Sequence, residues 1–321
     1  MNEMHKIWGV IAVLLVLLGC SAFVISMTAL KWDFHALSTV EYETAEYDFN
    51  EAFSDIKITA DTAKVTFLPS EGEVTRVVCL ENKKVRHNVS VKEGMLLVEV
   101  DDQRKWYDHI SIDFKSPSIT VYLPQSEYGI LAVKSSTGEV EIPADFSFRK
   151  IDVTLSTGDV SCFASASEDV RIKTSTGDIL LEGVSAASLR LSATTGRVTV
   201  QRCAIAGEVS VDVSTGKTVL SDLTCQSIKT TGSTGKVVLT NVVATASFFI
   251  ERTTGDVEFE RCDAPEINVE TDTGDVRGTL LTGKHFDTDT DTGRVTVPKD
   301  EEGGSCRVRT STGDIRLSIA D

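Results

Sequence analysis

The chain has 321 residues, 41% of them hydrophobic, enough to bury a core in one long domain or two ordinary ones, which excludes a disordered chain. Asp and Glu number 48 against 32 Lys and Arg, and the net charge of −16 repels nucleic-acid phosphates, so nucleic-acid binding is excluded.

Residues 1–6 form a short N-terminal tail, and residues 7–30 then run for 24 positions without a charge (IWGVIAVLLVLLGCSAFVISMTAL). At about 1.5 Å per residue a helix of that length covers roughly 36 Å, enough to cross a hydrocarbon layer about 30 Å thick. Trp8 and Trp32 stand at its ends, where aromatic rings favour the membrane interface. The run reads as a retained transmembrane anchor with the body of the chain outside the cytoplasm. Two alternatives stay open. A cleaved signal peptide has an apolar region of only about 7–15 residues. Lipidation at Cys20, within LLGC, would leave ten apolar-run residues beyond the modified cysteine instead of a polar linker.

Residues 31–50 read as a polar, aromatic tether, and residues 51–130 as a first coil with an irregular β cap. In the opening strands, DIKITADTAKVTFLP, Ala63 takes a corner position that glycine occupies later in the chain. EVTRVVCLE, NVSVKEGMLLVEV and SITVYLP alternate as strands, with a hairpin turn at Gly94. Trp106, Tyr107 and His109 lie between them, as cap packing or as an aromatic platform for a sugar.

From residue 131 to 321 one phrase recurs, as in TSTGDI at 174–179. Thr precedes Gly138, Gly158, Gly177, Gly196, Gly216, Gly235, Gly255, Gly274, Gly293 and Gly313, which follow one another every 19 or 20 residues. So regular a period predicts a solenoid of about ten coils, each burying its apolar face on its neighbours. Two residues after the glycine, nine of ten positions are Val or Ile, Thr218 being the exception; seven before it, all ten are apolar. One residue after it, all ten are charged. That alternation has the period of two that a β-strand requires, so the fold class is all-β: a parallel β-helix with a glycine at each corner. Its last coil ends the chain without a visible cap. Arg307, Arg309 and Arg316 either guard that edge or leave it as an end-to-end contact between copies.

The N-terminal anchor, the DIKITADTAKVTFLP opening, the hairpin strands and the iterated STGDV coils together resemble the bacterial putative-adhesin family of β-strand-repeat domains of unknown function. The resemblance covers nearly everything after residue 50. It implies a right-handed parallel β-helix and, for some members, an association with envelope-stress systems. It supplies no catalytic residues.

Cys162, Cys203, Cys262 and Cys306 occupy inward columns and read as buried thiols. The sharpest polar feature is HFDTDTDTGRV, where Asp287, Asp289 and Asp291 fall on outward positions. The period lays them beside Asn268, Glu270 and Asp272 on one side and Arg307, Arg309 and Ser311 on the other, pairing Asp287 with Arg307 and Asp289 with Arg309. A surface ion-pair ladder is one reading. A Ca²⁺ site of Glu270, Asp272, Asp289 and Asp291 is another, with Ca²⁺ as the one cofactor considered. A polysaccharide-lyase-like active site built from these acids with Arg307 or Arg309 is a third. The functions carried forward are a membrane-tethered, noncatalytic solenoid that adheres, binds or senses at the envelope through a protein or glycan partner; a carbohydrate-active enzyme; and a self-associating spacer.

Overall fold

The computed structural model describes residues 2–33, 40–105, 115–299 and 302–320. One helix, Asn2–Ala29, opens the chain, and its stretch Ile7–Ala29 is long and apolar enough to cross a membrane. The strands that follow join one continuous sheet wound into a β-solenoid. Trp106, Tyr107 and His109 lie outside the described residues.

The inward columns found in the sequence are the core. Val160 pairs in register with Ile179, and Ile179 with Val198, all of them at most 1% exposed. Leu131, Ile151, Val170, Leu189 and Val209 stack in the same way on the opposite wall. Each such side chain contributes about 1.5–3 kcal/mol when fully removed from water. Parallel rungs lie about 4.8 Å apart, so every interior coil is hydrogen-bonded above and below.

Thr-Gly corners are tight because the rungs touch there. Gly216 has φ +148°, and a methyl group added to it would collide with the carbonyl oxygen of Gly196 on the adjacent rung. Ala63 sits in the same column beneath Gly138, as its place in the opening strand anticipates. A second corner was not read from the sequence. Six residues after the glycine, Gly183, Arg202, Asp222, Asn241 and Arg261 all adopt φ between +49° and +69°. Asn and Asp tolerate that region better than other side chains, and Asn241 Nδ2 donates to Asp222 Oδ1 at 3.0 Å to make a ladder of the corner.

At the N-terminal end the chain doubles back. From Asp55–Thr62 and Lys64–Pro69 it moves outward to Thr75–Asn82 and Val85–Lys92, then returns through Met95–Asp102 and Ser118–Leu123 to fill the rung it skipped. The outer rung runs antiparallel to the one it covers. Lys92 faces Met95 across a turn in which Glu93 and Gly94 both have positive φ, the hairpin expected at Gly94. Tyr42–Phe49 pairs antiparallel on Thr75–Asn82 as the outermost strand. That corrects the tether, which does not extend to residue 50: Ala45, Tyr47 and Phe49 alternate inward and pack on the core.

The C-terminal end repeats the manoeuvre and corrects the expected order of coils. Glu266–Thr273 pairs with Gly304–Thr312, and Gly304–Thr312 pairs on its other side with Lys284–Thr292. The coil of Gly313 is therefore intercalated between those of Gly274 and Gly293. The outer strand is Lys284–Thr292, with residues 317–319 of the final strand paired on one side only, so Arg307, Arg309 and Arg316 each lie beneath another strand and an end-to-end contact would run along Lys284–Thr292 instead. Two physical reasons favour this order. The inward positions of the outer strand include Thr288 and Thr290, which stay partly exposed, whereas Val308 in the intercalated strand is fully buried. The arginines also separate two acidic strands that would otherwise lie a single rung apart.

Candidate functional site

Two surface regions carry the chemistry the sequence offers: the charged C-terminal end and a groove along the rod.

At the end, Asp287 pairs with Arg307 and Asp289 with Arg309 in register, as the repeat implies. Both arginines turn to Asp287: Arg307 Nε donates to its Oδ2 at 3.1 Å and Arg309 Nη2 to its Oδ1 at 2.7 Å. The Arg309 hydrogen bond comes first among the influences that hold the Asp287 carboxyl below its ordinary pKa, with Arg307 adding to it. Glu270 is in register with Arg309 on the far side. The four acids of the Ca²⁺ reading are thus divided, Glu270 and Asp272 on one strand and Asp289 and Asp291 on another, with the strand carrying Arg307 and Arg309 between them. The sequence period alone puts these acids side by side; the intercalated rung breaks the cluster and leaves a ladder of alternating charge. The lyase-like reading draws on the same side chains, and here Asp287 is engaged in ion pairs with both Arg307 and Arg309.

The charged corner column also does more than face water. Asp159 Oδ1 accepts from the backbone N–H of Asp178 at 2.7 Å, and Asp178 Oδ1 from that of Arg197 at 2.7 Å. At the other end Asp256 accepts from Asp275, Asp275 from Asp314, and Asp314 from Arg294. Each carboxylate binds the next rung's amide, so like charges stack without facing one another.

The groove spans successive coils on the side of the rod, with a volume of about 580 Å³. Its floor is made of short side chains, Ser167, Ala187, Ala204, Ala206, Thr224 and Thr245, all exposed. At Ser165–Ala166 and Ser185–Ala186 the strands shorten to two residues. No motif announces this face; its signal is that Ala and Ser predominate eight to ten residues after Gly158, Gly177 and Gly196.

Inside the rod, Arg252 is 2% exposed. Its Nη1 donates to Val213 O and its Nη2 to Thr218 Oγ1, each at 2.9 Å, while Nε has no partner in the described structure. Burial holds its pKa below the ordinary arginine value. Gly232, one rung away, makes the room, since any side chain there would strike the guanidinium. Thr218, the single break in the apolar column, is explained by this contact. Cys79, Cys162, Cys203, Cys225, Cys262 and Cys306 are free and buried, and Cys20 is free and exposed on the helix.

Stacked coils, glycine corners and an apolar N-terminal helix define a repeat protein whose surface, more than any enclosed cavity, is available to a partner. The chain belongs to the Toastrack DUF4097 family, whose profile matches residues 53–210 and again 204–321. Among solved structures it is similar to a "putative lipid binding protein" from Parabacteroides distasonis, at 13% identity over 88% of this chain and 98% of that one, with a TM-score of 0.48. It is also similar to a "putative adhesin" from Bacteroides fragilis, at 15% identity over 86% of this chain and 97% of that one, with a TM-score of 0.42. No curated protein matches the chain.

Proposed function

We propose that this protein is a membrane-tethered, noncatalytic binding module of the bacterial cell envelope, adhesive or sensory in role, with its solenoid outside the cytoplasm and its groove turned to a protein or glycan partner. The groove carries this reading. Solenoids bind through extended faces built from equivalent positions on successive coils, and here those positions are kept small over five coils at once. The helix Ile7–Ala29 supports the tether.

The test uses the full chain in detergent, passed over purified envelope polysaccharides and over a host-glycan panel. The wild type is retained on at least one, and Ala187→Arg or Ala206→Arg, both at exposed positions, lowers retention at least about tenfold without changing the melting temperature. Release of new reducing ends during the incubation would replace binding with glycan cleavage. Proteolysis of intact cells reports the side of the membrane: the solenoid is cut from outside, and full protection would place its partner in the cytoplasm.

A further inference from the structure

The outermost rung of the N-terminal cap holds a second polar cluster, independent of the groove. Thr75–Asn82 alternates Thr75, Val77, Cys79 and Glu81 inward, so a carboxylate stands where the pattern otherwise supplies apolar groups. His87 faces it from Val85–Lys92 across the corner at Asn82 and Val85. Cys79, Glu81 and His87 are 0%, 1% and 4% exposed, and their ligand atoms all lie within 4.8 Å of one another. His87 Nδ1 is 2.9 Å from Glu81 Oε2, and the His87 backbone N–H donates to the same oxygen at 2.7 Å. Tyr47 in the covering strand donates to His87 O at 3.1 Å, which fixes the histidine's backbone from the opposite side.

We propose that Cys79, Glu81 and His87 bind a divalent zinc ion inside the cap. A mixed sulfur, nitrogen and oxygen donor set is one that zinc accepts and that harder cations such as Ca²⁺ and Mg²⁺ do not favour. Ligand atoms around a tetrahedral zinc sit roughly 3.3–3.8 Å apart, given bonds of about 2.0–2.3 Å, so these donors already lie near the separations the ion requires. Glu81 is already held by the His87 backbone N–H and ring, so the carboxylate and imidazole are fixed beside the Cys79 sulfur before any ion arrives. Three protein ligands leave the fourth position to water, and a cavity of about 190 Å³, bordered by His87, Asp61 and Arg104, adjoins the histidine. The ion would tie both strands of this rung to each other near the end of the stack, where only Tyr42–Phe49 lies further out.

The test is direct. Full-length protein stripped with chelator and dialysed is titrated with Co²⁺ alone. The expected result is uptake of one equivalent with a thiolate-to-metal band in the near ultraviolet, displaced by Zn²⁺, and a higher melting temperature for the loaded protein. Cys79→Ser abolishes the band, and His87→Ala weakens uptake at least about tenfold, while Cys162→Ser, in the rod, changes neither. Circular dichroism confirms that each variant is folded. A folded wild type that takes up no stoichiometric Co²⁺, or one whose band survives in Cys79→Ser, overturns the site; the wild-type titration decides even where a variant fails to fold.

Discussion

Gly274 lies one rung from Gly313, 39 residues on in the chain, while Gly293, the next glycine of the repeat, lies on the far side of Gly313. The corner carboxylates record the same order, Asp275 accepting from the Asp314 amide at 2.8 Å and Asp314 from that of Arg294 at 2.7 Å. Outward pairs of cysteines distinguish this order from simple sequential stacking. Asn268→Cys with Arg307→Cys, register partners on adjacent rungs, will oxidise to a disulfide. Asn268→Cys with Asp287→Cys, two rungs or about 9.6 Å apart, will not, because a bridge needs Cα atoms within about 7 Å. Electrophoretic mobility without reductant reads the outcome, and the reverse pattern would restore the sequential order.

The corner glycines differ from glycines elsewhere in what surrounds them. Gly216→Ala places a methyl group against the Gly196 carbonyl at a φ that L-residues avoid, whereas a methyl at Gly72 meets nothing within 4 Å. Gly216→Ala will cost at least about 2 kcal/mol in chemical denaturation, and Gly72→Ala less than about 0.5 kcal/mol.

Arg252 and Thr218 are coupled. Thr218→Val alone removes one of the guanidinium's hydrogen-bond partners in the core and will destabilise by about 1–3 kcal/mol. Thr218→Val combined with Arg252→Met removes the buried charge as well and will recover most of that loss or exceed it. A double-mutant cycle that comes out additive would show that the two side chains act separately.

Acid will loosen the C-terminal end first. The Arg294 amide, followed by Arg316, lowers the pKa of Asp314, and Arg309, then Arg307, lower that of Asp287. A carboxylate depressed in the folded state stabilises above its unfolded pKa, about 3.9 for Asp, and loses that contribution as the pH falls through the folded value. Hydrogen exchange of residues 284–296 will therefore accelerate as the pH falls below about 4, relative to residues 170–176 and after correction for intrinsic rates. Asp287→Asn will flatten that dependence; an unchanged profile in the variant would remove the ion pairs as its cause.

The rod was legible from its first Thr-Gly corner to its seventh neighbour because one column pattern repeats without interruption, and a strand's period of two makes the inward side unambiguous. The ends were not, since period alone cannot say which of two candidate rungs lies adjacent. A signal existed all the same: Thr288 and Thr290 stand where Val308 and Thr310 stand in the following coil, and the less apolar strand takes the exposed position. Thr218 was visible as the odd member of its column, yet its reason lies in Arg252, 34 residues away, whose inward direction is set by tertiary packing. The groove was hidden for the opposite reason, its residues being too small to form a pattern of hydropathy. The acids read as a Ca²⁺ site are split by the order of the rungs, because placing Glu270 and Asp272 beside Asp289 and Asp291 assumed that nothing came between Gly274 and Gly293.

The doubled-back C-terminal rung makes completion of the rod a late event in the life of the chain. A polypeptide emerging from the ribosome presents Lys284–Thr292 before Gly304–Thr312 exists, so the acidic strand must either wait unattached or settle first on Glu266–Thr273 and then yield its place. If it settles there first, like charges meet until the arginine strand arrives, and Gly304–Thr312 then acts as a keystone driven between stones already laid.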